Sequence, residues 1–412
     1  MHEGSSPSFR TKGNPIQGFD PTESSRFSDP PDPHKKPARY YRPELDAVRF
    51  LAFFLVFLSH TLPSQPNARL DSLLHGFAPL YYGCAEASIF GLSLFFTLSA
   101  FLICELLLRE RSSTGTIEVK QFYFRRILRI WPLYYLGLAL GALIAVLPGG
   151  NRGDLVEISW YVIFMGAWQC AAHGGLDNPM AVLWSISVEE QFYLFAPWIL
   201  KYFNRRTLFA ICAALILVSN GRLYYLSMRG VNGGRTWVDP LVQFQCFAAG
   251  ILLCLVLRSR LPRLAIWSRI LILVLSGMCW FFANSGPNSK VGPPYTHSTI
   301  WHILGGYTLA SLGSVLALIA FLGLDAHLIP RAIVYLGRIS FGLYVFHGFA
   351  HRLVFGTFPY AFVHEPPMFL GRIFASFALT VLMAALSYRY FELWFLQMKV
   401  RRSVIPSRPL MH

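Results

Sequence analysis

The stretch RPELDAVRFLAFFLVFLSH, Arg42 to His60, sets Asp46, Arg49 and His60 into an otherwise apolar run. Eleven positions separate Arg49 from His60. At ~100° and 1.5 Å per residue a helix carries them on nearly one face, about 16 Å apart. Asp46, Arg49, Phe53, Val56 and His60 follow a 3-4-3-4 spacing, so this stripe should face the interior of a helix bundle, where an apolar span tolerates charge. A histidine at one end is a base that titrates near neutrality, and an arginine at the other can stabilise developing negative charge. Two readings stand: chemistry along one helix face, or a helix entrance anchored by Asp46 and Arg49 with an interfacial histidine at its far end.

Three further stretches carry reactive types. In RERSSTGTIEVKQFYFRRILRIWPLYY, Arg125, Arg126 and Arg129 crowd about one helical turn, a density suited to phosphates, and equally to routine anchoring in an anionic leaflet. LWSISVEEQFYLFAPW opens an apolar run with Ser185, Ser187, Glu189 and Glu190. Ser185, Glu189 and Phe192 should share a face. A carboxylate pair at this place is expensive unless partnered or wet, although a capped helix N-terminus also favours acids. LGRISFGLYVFHGF mixes small and aromatic residues as tightly packed helices do, and His347 within it reads as structural.

The elements that position these residues follow from composition. Of 412 residues 54% are hydrophobic and 14% charged, against about 25% charged in soluble domains. Runs long enough to cross ~30 Å of hydrocarbon recur near 46–62, 88–108, 127–148, 184–200, 207–226, 238–257, 266–284, 300–323, 332–350 and 368–388. The expectation is an all-α polytopic bundle of about ten transmembrane helices. Ile158 to Cys170 is too short to cross. With the N-terminus cytosolic, 27 of the 36 Lys and Arg residues fall in inner segments and 7 in outer loops, with Arg49 and Arg372 inside spans. This asymmetry favours ten crossings with both termini cytosolic. The exception is Arg222, Arg229 and Arg235, all in one outer loop, where they break the rule locally or bind an anion.

Residues 1–41, rich in Pro, Ser and charge, read as a disordered cytosolic tail, 42–395 as the membrane domain and 396–412 as a short basic tail. No apolar run opens the chain, so no cleavable signal peptide is expected. The net charge of +15 is distributed as in a polytopic protein and does not indicate nucleic acid. Seven scattered cysteines without a C-x-x-C pair suggest neither a metal site nor a disulfide framework.

Five stretches in order, RPELDAVRFLAFFLVFLSH, GLSLFFTLSAFLI, FYFRRILRIWPLYY, WSISVEEQFYLFAPW and LGRISFGLYVFHGF, make the chain similar to acyltransferase family 3, over about residues 42–395. The first carries that family's signature of an Arg, ten residues and a His. The resemblance implies a ten-span enzyme that transfers acyl groups, usually acetyl, to hydroxyls of carbohydrates and related molecules. It implies that His60 is the catalytic histidine, Arg49 its companion and Glu189 part of the functional core. It also implies that Arg125, Arg126 and Arg129 belong to the cytosolic end where acyl-CoA docks. Ser93 stands where many members have an acid, Ala100 replaces the usual Gly, and no Pro follows Glu392.

Acyl transfer from a thioester needs a base for the acceptor hydroxyl, charge stabilisation for the oxyanion and contacts for the donor phosphates. The expected function is therefore a bacterial inner-membrane O-acyltransferase, using acyl-CoA without a metal and a carbohydrate or small-molecule hydroxyl as acceptor. His60 would act as general base or acyl carrier. The competing class is a transporter of an anionic or acylated substrate that does no chemistry.

Overall fold

The computed structural model describes residues 1, 41–64, 68–258, 260–284, 300–356 and 366–400. The expected tail at 1–41 and the end of the basic tail at 396–412 lie mostly outside them. Among the described residues the only regular elements are helices: α1 (Pro43–Thr61), α2 (Ala68–Leu74), α3 (Ala78–Ala87), α4 (Gly91–Thr114), α5 (Val119–Val146), α6 (Asp154–Val162), α7 (Gly166–His173), α8 (Trp184–Tyr202), α9 (Arg205–Met228), α10 (Gly233–Trp237), α11 (Pro240–Leu257), α12 (Ile266–Asn284), α13 (Ile300–Phe321), α14 (Arg331–Arg338), α15 (Ser340–Phe355), α16 (Pro366–Ser387) and α17 (Leu393–Val400).

Among the described residues seven helical stretches are long and apolar enough to cross a membrane, and an eighth is added when α14 and α15, bent by 75° at a short break, count as one. These eight coincide with eight of the ten expected spans. The other two are α1 and α8, each 19 residues long and each holding three charged residues, Glu44, Asp46 and Arg49 in one and Glu189, Glu190 and Lys201 in the other. Length and composition alone therefore give seven or eight crossings rather than ten. The segment Ile158 to Cys170 is no straight crossing: α6 and α7 are separated by a turn at Phe164, whose φ of +58° is left-handed.

Helix α1 is the axis of the bundle. Pro43 presets the first turn, and Glu44 and Asp46 lie at the positive end of the helix dipole. Asp46, Phe53 and Val56 of the stripe are buried at 0%, 0% and 3% exposure. α1 packs against α4, α14 and α15. The contacts are close because two glycines permit them: a Cβ at Gly337 would lie 1.9 Å from the Asp46 carbonyl oxygen, and one at Gly91 would lie 2.5 Å from that of Ala52.

Peripheral helices turn apolar side chains outward, among them Leu217 and Val218 on α9, Trp267 and Val274 on α12, and Phe374 and Leu382 on α16. A helix exposed in this way, with its backbone satisfied internally, is suited to lipid. Buried Arg269 ties α12 to the end of α13, donating to the carbonyls of Leu264, Ala320, Leu322, Pro262 and Gly323. The three arginines expected in one outer loop are engaged within the fold, and Arg222 lies inside α9 and Arg235 in α10. Arg222 donates to Asp239 at 2.9 and 3.1 Å, Arg235 to the carbonyls of Ala171 and Ala172, and Arg229 lies over the Tyr225 ring.

Candidate active site

A cavity of about 220 Å³ opens between α1, α4, α5, α8, α14, α15, the turn Tyr388–Glu392 and α17. Five arginines line it, Arg42, Arg49, Arg126, Arg129 and Arg338, together with Glu189 and Glu392. Positive charge dominates, which is what an anionic ligand requires. α1 contributes Arg49, Arg42 comes from the extended residue just before it, and the break after Arg338 delivers both that guanidinium and Tyr344 of α15 to the same space.

The arginines divide by how they are held. Asp46, fully buried, accepts from Arg49 at 2.5 Å, and its second oxygen lies 3.9 Å from Arg338 Nε. Arg338 also donates to the Tyr41 hydroxyl at 2.7 Å. Glu105 accepts from Arg42 at 2.7 Å and from Arg109 at 2.9 Å. A carboxylate behind each guanidinium fixes its direction and offsets the cost of burying it. Arg126 lies over the Tyr193 ring, 5.0 Å from its centre. Among the described residues neither Arg126 nor Arg129 has an ion pair or hydrogen bond, so their donors are available to a ligand. Arg125 does not line the cavity, and donates to Glu110 at 3.0 Å. On α5 the chain turns ~100° between neighbours, which sends adjacent arginines to different surroundings.

The two carboxylates of α8 part in the same way. Glu189 faces the cavity and accepts from the Tyr193 hydroxyl at 2.5 Å, while Ser99 donates to that hydroxyl at 2.5 Å. Glu190 points elsewhere and accepts from Trp131 Nε1 at 3.2 Å. Ser185 joins the lining, but Phe192 does not share that face and stacks on Phe247 at 4.4 Å. Tyr193, four residues on from Glu189, occupies the face instead. Glu392 sits on a wide turn, Tyr388–Glu392, of the π kind that interrupts helices at functional places.

His60 does not line the cavity. The path to it runs through α15. The Tyr344 hydroxyl, on the cavity wall, shares a hydrogen bond with Ser185 Oγ at 2.6 Å and donates to the Val182 carbonyl at 3.0 Å. One turn on, His347 is 1% exposed, and its ring centre lies 5.5 Å from that of Tyr344 and 5.1 Å from that of His60. Nδ1 of His60 lies 2.9 Å from the Val56 carbonyl and Nδ1 of His347 lies 2.6 Å from the Tyr344 carbonyl. A carbonyl only accepts, so both Nδ1 atoms carry the proton and each neutral ring has its lone pair on Nε2. Ser93 is buried. Among the described residues no group of three His, Cys, Asp or Glu could hold a metal ion.

The structure thus brings Arg49, Arg126, Arg129 and Glu189 to one cavity and leaves Arg125 beside it and His60 beyond Tyr344. Arg338, Tyr344 and Glu392 join from the C-terminal third. Only a hinge in LGRISFGLYVFHGF and an acid in an apolar run marked them in the sequence.

A bundle that is all-helical among the described residues, with several helices long and apolar enough to cross a bilayer, defines an integral membrane protein. A family model described as an acyltransferase domain matches residues 42–389. The chain belongs to acyltransferase family 3. It is 24% identical over 382 residues to the peptidoglycan O-acetyltransferase OatA of Listeria monocytogenes, an alignment covering 86% of this chain and 56% of that protein. It is 25% identical to a putative O-acetyltransferase of Staphylococcus aureus, covering 85% and 57%. With the putative peptidoglycan O-acetyltransferase YrhL of Bacillus subtilis it shares 24% identity, covering 87% and 55%. The chain therefore spans little more than half the length of these relatives. No solved structure matches it.

Proposed function

We propose that this chain is a bacterial inner-membrane O-acyltransferase that moves an acetyl group from acetyl-CoA to a hydroxyl of a cell-wall glycan. The observation that supports it most is the continuity from a cavity with two unengaged arginines, through Tyr344, to the His347 and His60 pair. The relatives' names supply acetyl as the group and, for two of them, peptidoglycan as the acceptor. In this reading α1 and α8 complete ten crossings, both termini are cytosolic, and the arginine-lined cavity opens to the cytosol.

The donor's phosphates lie against Arg126 and Arg129, with Arg125 holding α5 to α4 through Glu110. The pantetheine arm extends past Arg49 toward Tyr344. His60 takes the proton of the acceptor hydroxyl through Nε2 as the oxygen attacks the thioester carbonyl. The O–C bond forms and the C–S bond breaks, and the proton passes to the departing thiolate, giving CoA-SH and the O-acetyl ester. Arg49, held by Asp46, balances the donor's negative charge within the cavity. Transfer by way of an acetylated His60 uses the same groups in two steps.

The test is free-thiol release from acetyl-CoA by purified wild-type and His60→Ala protein in detergent, with and without peptidoglycan fragments. Acceptor-dependent release that disappears in the variant, while acetyl-CoA still binds, supports the reading. A variant that keeps most of its rate removes His60 from the chemistry, and a wild type that releases no CoA with any glycan removes acetyl-CoA as donor.

A further inference from the structure

We propose that Glu392 binds the donor's uncharged arm, accepting a hydrogen bond from the amide N–H nearest the sulfur in the pantetheine of acetyl-CoA. The inference rests on acetyl-CoA as the donor proposed above. Glu392 lines the cavity and is 9% exposed. Among the described residues its only hydrogen bond comes from Ser387 Oγ, 3.3 Å from Oε1, and Oε2 has no partner. The charged group that acts on it most is Arg129, also on the cavity wall, yet the two form no ion pair.

Local structure aims this acid. In an α-helix, residues five apart lie about 140° apart round the axis. In a π turn the backbone hydrogen bond itself spans five residues, so the turn Tyr388–Glu392 brings Glu392 over Ser387, which holds one of its oxygens. The depth of the carboxylate is set by α15: a Cβ at Gly342 would lie 3.2 Å from Oε1. Tyr344, the last residue of α15 on the cavity wall, is two positions on, about 3 Å along the helix axis. In the other direction Leu396, one turn beyond Glu392, still lines the cavity. Glu392 therefore stands inside the cavity near its Tyr344 end.

A carboxylate in this place repels a phosphate and needs a hydrogen-bond donor opposite it. Acyl-CoA carries both kinds of group, in different places. Its nucleotide end is anionic and suits Arg126 and Arg129. Its pantetheine arm is uncharged and has two amide N–H groups, the nearer only two carbons from the thioester sulfur. With the thioester carried toward Tyr344, that nearer amide comes level with Glu392. Phosphates held at one end and an amide held near the other fix how far the acetyl group advances. Glu189, the other acid on the wall, already accepts from the Tyr193 hydroxyl and is not assigned this task.

The test must separate this bond from a role in balancing Arg129, which would affect every donor alike. Acetyl-CoA is compared with an analogue in which the amide nitrogen nearest the sulfur is replaced by oxygen, removing the N–H but keeping the length and the phosphates. In wild type, kcat/KM for thiol release with peptidoglycan fragments should be about tenfold or more lower for the analogue. In Glu392→Met, similar in size but without an acceptor, acetyl-CoA should lose that advantage and the two donors should agree within about twofold. Glu189→Gln should lose rate and keep the wild-type ratio. A wild-type ratio near one, a ratio retained in Glu392→Met, or a ratio lost in Glu189→Gln alone overturns the proposal. If Glu392→Met does not accumulate as folded protein, Glu392→Gln is measured. Its neutral carbonyl accepts more weakly, so the ratio should fall about threefold or more, and an unchanged ratio overturns the proposal. A wild type that releases no thiol from either donor with any glycan defeats the underlying reading, whereas equal release from both defeats only this inference.

Discussion

Arg125 donates to Glu110 at 3.0 Å, while its neighbour Arg126 lies over Tyr193 on the cavity wall without an ion pair. Two adjacent arginines thus have different work. A hydrogen bond from a charged donor is worth ~1.5–3 kcal/mol. Arg126→Ala and Arg129→Ala should each raise KM for acetyl-CoA by about tenfold or more. Arg125→Ala should leave KM within about twofold and lower the melting midpoint in detergent, because Glu110 loses its partner. Equal KM effects at positions 125 and 126 would show that the cavity is not the donor site.

Glu189 and Glu190 give a second contrast. Glu189→Gln weakens the bond that orients Tyr193 beneath Arg126 and should lower kcat by about tenfold or more. Glu190→Gln keeps an acceptor for Trp131 outside the cavity and should stay within about threefold of wild type. CoA-release kinetics on the two variants decide this, and a reversed order would count against the cavity as the site.

Gly337→Ala tests the packing that holds the cavity open. Its Cβ would lie 1.9 Å from the Asp46 carbonyl oxygen and 2.4 Å from the carbonyl carbon, both backbone atoms that cannot swing aside. Overpacking of this kind costs about 1–3 kcal/mol. Because Asp46 holds Arg49 and faces Arg338, kcat should fall together with the melting midpoint. An unshifted midpoint would mean that α14 and α1 are not in close contact.

Arg269→Met should lower stability without touching the reaction. The guanidinium reaches five carbonyls, and its Nη1 holds those of Ala320 and Leu322 at 2.7 and 2.9 Å. Each buried carbonyl left unsatisfied costs ~1–3 kcal/mol. The melting midpoint should drop while KM for acetyl-CoA stays within about twofold. A changed KM would connect this end of α12 to donor binding.

The interior stripe of α1 was legible in the sequence because helical periodicity is a one-dimensional property: the 3-4-3-4 spacing that set Asp46, Phe53 and Val56 on one face also buried them. The family was legible for the same reason, since its motifs are local strings in a fixed order. Positions within a turn were less secure. Phe192 was expected beside Glu189, and the 300° between them was enough to turn it onto Phe247.

By itself, then, the sequence determined an all-helical membrane protein of acyltransferase family 3 with reactive residues on α1, α5 and α8, because apolar run length and short spacings fix helices and their faces. Only the tertiary structure decided which of those residues meet. Two helices, α1 and α8, carry too much charge to be counted as crossings from composition, and they are the two that bear Arg49, His60 and Glu189. Arg338, Glu392 and His347 arrive from the far end of the chain through a 75° break and a wide helical turn. Their neighbours are set by how close glycines let helices approach and by which buried charges must be matched. No pattern along the chain records those long-range terms, which belong to packing and desolvation in three dimensions.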